Sequence, residues 1–117
     1  MSAPPTPALL AVTDDTFATA VLASDRPVVV DFWAQWCPPC HAISRSLAEL
    51  AEEFAGRLRV VTLNTDDNPD CTRAYRVLSL PTLLVFDRGE VVGSVVGSRP
   101  KQHLRSALSR HLPPLVG

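Results

Sequence analysis

The chain has 117 residues, 46% of them hydrophobic, and a formal net charge of −1 at pH 7. That is enough apolar surface for one domain with its own core, and it leaves no basic footprint for nucleic acid and no polybasic anchor for a membrane. Three cysteines are too few and too odd in number for a disulfide-stapled secreted scaffold, the opening MSAPPTPALL lacks the positive start and unbroken apolar run of a secretory signal, and no apolar run is of bilayer length, so a reducing, cytoplasmic setting is expected.

Residues 1–8 read as a flexible N-terminal tail and 9–117 as one domain. A short apolar piece, Leu9 to Val12, leads to the capping cluster Thr13-Asp14-Asp15, after which Phe17, Val21 and Leu22 recur at helical spacing to about Ala23. Asp25-Arg26-Pro27 is a turn, and Val28 to Trp33 follows as the near-continuous apolar run of a strand buried on both faces. Beyond WCPPC, Ile43, Leu47, Leu50, Ala51 and Phe54 mark one face of a long helix ending at Gly56. A strand is expected from Leu58 to Leu63, then a short helix from Pro69 to about Arg76 with Asn68 as its cap. Thr82 to Phe86 and Glu90 to Val96 read as a hairpin around Asp87-Arg88-Gly89, and an amphipathic helix from about Pro100 turns Leu104, Leu108 and Leu112 inward.

This order implies an α/β fold with a mixed sheet between helices. Strands joined by helices are expected to run parallel, with the final hairpin adding an antiparallel edge. The cysteine pair then falls where the carboxyl end of a central strand meets a helix N-terminus, the place where sites form in open α/β sheets.

Trp36-Cys37-Pro38-Pro39-Cys40-His41 admits three chemistries on its letters: a redox dithiol, a c-type haem attachment or a zinc site. Haem needs a second axial ligand and an export route, whereas Met1 is the only methionine. Structural zinc needs four placed ligands, and only Cys37 and Cys40 pair convincingly, His41 being adjacent and Cys71 remote. Zinc or iron–sulfur binding therefore stands as the rival from another class, and a binding subunit or holdase as a third. No Gly-rich phosphate loop is present, so the chain cannot itself draw electrons from a nicotinamide.

The runs VVVDFWAQWCPPC, SLPTLLVF and DRGEVV..VVG, in their order and spacing from about Leu9 to Leu112, resemble the thioredoxin family. The resemblance implies the thioredoxin fold, a central five-stranded mixed sheet flanked by four helices. It also implies a monomeric protein-disulfide reductase and electron carrier with no bound cofactor or metal. Its dithiol would reduce client proteins such as reductases and peroxidases, then be re-reduced by thioredoxin reductase, a flavoprotein drawing on NADPH.

The residues fit that chemistry. Exchange needs a thiolate to attack a partner's disulfide and a second thiol to displace that partner. Side chains three apart on a first helical turn stand about 5 to 6 Å apart at Cβ, and a disulfide wants about 3.5 to 4.5 Å, a small tightening. Cys37, at the cap, is expected to be the exposed nucleophile, favoured as thiolate by the helix's amides and dipole. Cys40, one turn inside, is expected to be the shielded resolving thiol.

Pro38 and Pro39 replace the Gly-Pro pair usual in the family, leave the Cys40 N–H as the nearest remaining donor to Cys37, and disfavour helical geometry at Pro38. Arg45 stands where the family often has a helix-kinking proline, and Thr62 where many members carry a lysine. Asp31, inside a buried strand, is expected to have a raised pKa and to relay the proton of Cys40. On the resemblance, Pro81 is expected to be a cis-proline facing the dithiol, and Trp36, Pro38, Leu80 and Gly97 to line with it a substrate groove that receives an extended client chain. Cys71 reads as an inert buried residue, and His41, His103 and His111 as surface residues.

Overall fold

The computed structural model describes residues 9–113. The tail assigned to residues 1–8 lies outside them. Five strands form one sheet in the order β1-β3-β2-β4-β5, with β1 at Leu10–Ala11, β2 at Val28–Trp33, β3 at Arg59–Asn64, β4 at Thr82–Asp87 and β5 at Glu90–Val96. The long helix α1 spans Pro38–Glu53, α2 spans Pro69–Ala74 and α3 spans Lys101–Ser109. The fourth helix, Ala18–Leu22, is a π-helical turn. The α-helix expected there forms only this wider turn: Ala23 N–H reaches back five residues to the Ala18 carbonyl. Thr13 and Thr16, meanwhile, bond each other's backbone in the turn before it.

Strand β2 explains why the sheet has two buried faces. Side chains alternate along a strand, and Val29 joins the α1 and α3 layer with Ile43, Leu47, Leu50, Leu83 and Leu104. Val28, Val30 and Phe32 join the opposite layer with Phe17, Val21, Val61 and Phe86. By the same alternation Asp31 falls on the α1 side, where Thr62 and Leu83 are its neighbours in the sheet. Leu47 and Leu50 are fully enclosed, and burial of such a side chain contributes about 1.5–3 kcal/mol.

The expectation that strands joined by helices run parallel holds for β1, β3 and β2 but fails at β4. That strand pairs antiparallel with β2, Phe32 lying opposite Thr82. Six-residue α2 does not carry the chain across the sheet, so β4 begins at the end where β3 finishes, and antiparallel pairing starts one strand earlier than the hairpin. The hairpin turn itself places Arg88 at φ 52° and Gly89 at φ 83°, the left-handed pair of a type I′ turn. Helix α1 gives way beyond Phe54 to Gly56 at φ 85°. It includes both Pro38 and Pro39, so helical geometry at Pro38 is tolerated: at the first turn a missing N–H costs no internal bond.

Asn68 precedes α2 but does not cap it. Its amide is engaged elsewhere, Oδ1 accepting from Asp14 N–H and Nδ2 donating to the Asn64 carbonyl. The cap comes from Asp14, whose carboxylate accepts from the Cys71 N–H at 2.9 Å and the Asp70 N–H at 3.1 Å. Burial pushes the Asp14 carboxyl up, but the Cys71 amide and thiol and the Asp70 amide together outweigh it and hold the group below its ordinary value.

Candidate functional site

The loop from Ala34 to Trp36 leaves the carboxyl end of β2 and turns into α1, with Cys37 N–H bonded to the Ala34 carbonyl at 3.2 Å. Cys37 is the N-cap of α1 in extended conformation. Its sulfur accepts from the Cys40 N–H at 3.2 Å, the donor left once two prolines occupy the intervening positions. Cys37 and Cys40 are joined as a disulfide with their Cα atoms 5.3 Å apart. The expected contrast in exposure is absent: Cys37 is 3% and Cys40 2% exposed. Ala34, Trp33 and Leu80 pack around both, so position on the helix, not accessibility, distinguishes them in the oxidised state.

Leu80 packs against the pair, the Leu80–Pro81 peptide bond is cis, and Pro81 is buried. Gly97, at φ 90°, donates its N–H to the Pro81 carbonyl at 2.8 Å, which ties the end of β5 to the residue that follows Leu80. Pro38 is exposed and Trp36 is 66% exposed. The Trp36 indole donates to Asp66 Oδ2 at 2.9 Å, so it is braced by the turn after β3 rather than by Leu80 or Gly97. Asp66 escaped the sequence reading. Its signal was available: the turn after a parallel neighbour of β2 must emerge at the same end of the sheet as WCPPC.

Two further exposed residues went unassigned in the sequence. The His41 ring nitrogen Nε2 lies 2.8 Å from the Gln35 carbonyl, and the ring meets Trp33 edge-on at 6.0 Å, so this exposed histidine also clasps the loop before Cys37. Leu78, 94% exposed, stands in the segment leading to Pro81. An isolated exposed leucine carries no signal in a sequence, because nothing there shows which face of a loop it takes.

Asp31 is 5% exposed and its Oδ1 has no hydrogen-bond partner. Burial pushes its pKa from the ordinary 3.8 to about 7, since a carboxylate withdrawn from water without compensation favours its neutral form. Thr62 beside it brings no charge to offset this. Arg45 lies exposed on an uninterrupted α1. Cys71 sits on the opposite face of the sheet, where burial first, then the hydrogen bond and charge of Asp14 and the charge of Asp70, push its thiol up to about 12.

Among the described residues no three His, Cys, Asp or Glu side chains gather as a metal site, and no helix is long and apolar enough to cross a membrane. The arrangement offers a vicinal sulfur pair at a helix start, packed against Trp33 and Leu80, and one buried acid whose pKa burial raises to about 7.

Residues 8–110 match the family profile described as Thioredoxin. The chain is 46% identical over 101 residues to Thioredoxin 1 of Nostoc sp., covering 86% of this chain and 94% of that protein. It is 52% identical over 93 residues to a thioredoxin of Streptomyces clavuligerus, covering 80% and 86% respectively. With a thioredoxin of Haemophilus influenzae it shares 42% identity over 104 residues, 89% of this chain and 97% of that one.

Proposed function

The chain belongs to the thioredoxin family of protein-disulfide oxidoreductases, with Cys37 and Cys40 as its redox-active pair, and on that premise we propose how its residues divide the work. Cys37 is the nucleophile. Its thiolate attacks one sulfur of a client disulfide, forming a mixed disulfide and releasing the client's other sulfur as a thiolate. Cys40 then attacks the Cys37 sulfur, the Cys37–Cys40 bond forms, and the second client sulfur departs. Two electrons pass from the dithiol to the client, and the client sulfurs take up two protons.

Asp31 accepts the proton of Cys40 during the second step. The observation that carries this reading is its unpaired, buried carboxyl, titrating at about 7, because a base works best when its pKa lies near the operating pH. Trp36, Pro38, Leu80, Pro81 and Gly97 receive the client's extended chain. Exposed apolar surface at Trp36 and the Gly97 to Pro81 bond beside the cysteines support that placement. The disulfide is returned to the dithiol by a flavoprotein thioredoxin reductase using NADPH, in the cytoplasm, and the protein itself works as a monomer without a bound cofactor.

Reduction of insulin, followed as turbidity with dithiothreitol or with reductase and NADPH as electron source, tests the reading. Turnover with both reductants is expected. The variant with both cysteines replaced by serine should no longer accelerate reduction; if it still suppressed aggregation of unfolded clients as the parent does, a holdase role would be assigned instead.

A further inference from the structure

The basic residues on and around helix α3 divide between two sides. Lys101 pairs with Glu49 at 3.4 Å and Arg105 with Glu53 at 2.8 Å, so the side toward α1 is neutralised. The side toward β5 is not. There a cavity of about 430 Å³ is lined by Arg99, His103, Arg110 and His111, together with Gly93 and Val85, and by no acidic residue. Among the described residues neither Arg99 nor Arg110 has a carboxylate within ion-pair distance. His103 comes from α3, Arg110 and His111 from the turn just beyond its last residue, Ser109, and Arg99 from the loop after β5.

The site has a built floor. The His111 imidazole rests on the backbone of Gly93: a Cβ there would stand 2.5 Å from Nε2 and 3.0 Å from Cε1. A side chain at position 93 would therefore push the ring out, and glycine is what lets the imidazole line the cavity.

Two guanidiniums supply fixed charge and fork-shaped donors, and two imidazoles add further N–H groups, a set suited to the several oxygens and double charge of a phosphoryl group. The volume falls within the range of about 300–1,000 Å³ typical of small-ligand sites, and the cations converge on a hollow rather than along a line, which favours a compact anion over an extended acidic chain. We propose that the cleft between β5 and α3 is a binding site for a small phosphorylated ligand, held by Arg99 and Arg110 with His103 and His111. The lining residues are distinct from those packed around the cysteines.

The test is a titration of the oxidised protein with sodium pyrophosphate at constant ionic strength, read by amide and imidazole resonances, with sodium chloride as control. Saturable shifts confined to β5, Arg99 and α3 through His111 are expected, with a Kd below about 1 mM. Replacing Arg99 and Arg110 together by glutamine should weaken binding at least about tenfold while leaving insulin reduction at the parent rate. Gly93→Ala, which displaces only the ring, should weaken it without loss of fold. Orthophosphate and a nucleoside monophosphate separate the sources: tighter binding of the nucleotide identifies an organic phosphate, equal binding the inorganic ion. Shifts linear in concentration, reproduced by chloride, mapped to another face or unchanged by the double substitution would overturn the proposal.

Discussion

Replacing Asp31 by asparagine removes the one buried ionisable group beneath α1, and its effect on stability should depend on pH in a definite direction. Between 3.8 and about 7 the native protein keeps a proton that the unfolded chain has already released. Stability is therefore fully present below that window and falls as pH rises through it. The span corresponds to about 4 kcal/mol lost by pH 8. Asparagine does not titrate, so the variant escapes the loss, less about 1–3 kcal/mol if its amide is left unbonded where Oδ1 now has no partner. The variant should then fall roughly 0.5–2.5 kcal/mol below the parent at pH 4 and exceed it by roughly 1–3 kcal/mol at pH 8, where the gain is a rise in Tm of several degrees. Urea unfolding of both oxidised proteins from pH 4 to 8 measures this, with Cys37 and Cys40 silent because they are bonded. Two curves separated by the same amount at every pH would refute the argument that burial makes this charge costly.

The same substitution should slow insulin reduction most near neutral pH and least at alkaline pH, where Cys40 ionises unaided; a uniform loss across the pH profile would remove the proton relay. Cys40→Ser should accumulate mixed disulfides with client proteins on non-reducing gels and Cys37→Ser should not, and the reverse pattern would exchange their roles. Leu47→Ala, which opens a void where α1 meets the sheet, should cost about 2–5 kcal/mol by denaturant unfolding. Cys71 should react slowly with iodoacetamide at pH 8 in the folded protein, and Asp14→Asn should speed it by removing a hydrogen bond and charge that help hold the thiol protonated; equal rates would leave burial alone as the cause.

Much of this architecture was readable because single residues carry unambiguous physics. VVVDFW can only be a strand covered on both faces, Gly56 and Gly89 occupy left-handed positions that few other residues accept, and a cysteine pair three apart after a strand finds itself at a helix start. What escaped reading was non-local. Asp14 caps a helix some 56 residues away, and no local pattern distinguishes it from Asn68, which stands in the expected place with its side chain committed elsewhere. The equal burial of Cys37 and Cys40 depends on Trp33 and Leu80, contributed by different strands' ends. The orientation of β4 turns on how far a six-residue helix carries the chain, and composition does not report that distance.

The sheet order has a consequence for the chain during synthesis. Strand β2 lies at the centre of the finished sheet, yet both its neighbours, β3 and β4, are made after it. As translation proceeds, the two cysteines leave the ribosome well before Leu80, which will pack over them. Until β4 docks, β2 has one open edge and the pair has no cover on that side, so an incomplete chain carries accessible thiols beside an unpaired strand, a species open to aggregation and to stray oxidation. Arrival of the last third of the chain closes the edge and buries both sulfurs in one step, so protection of the thiols follows completion of the polypeptide.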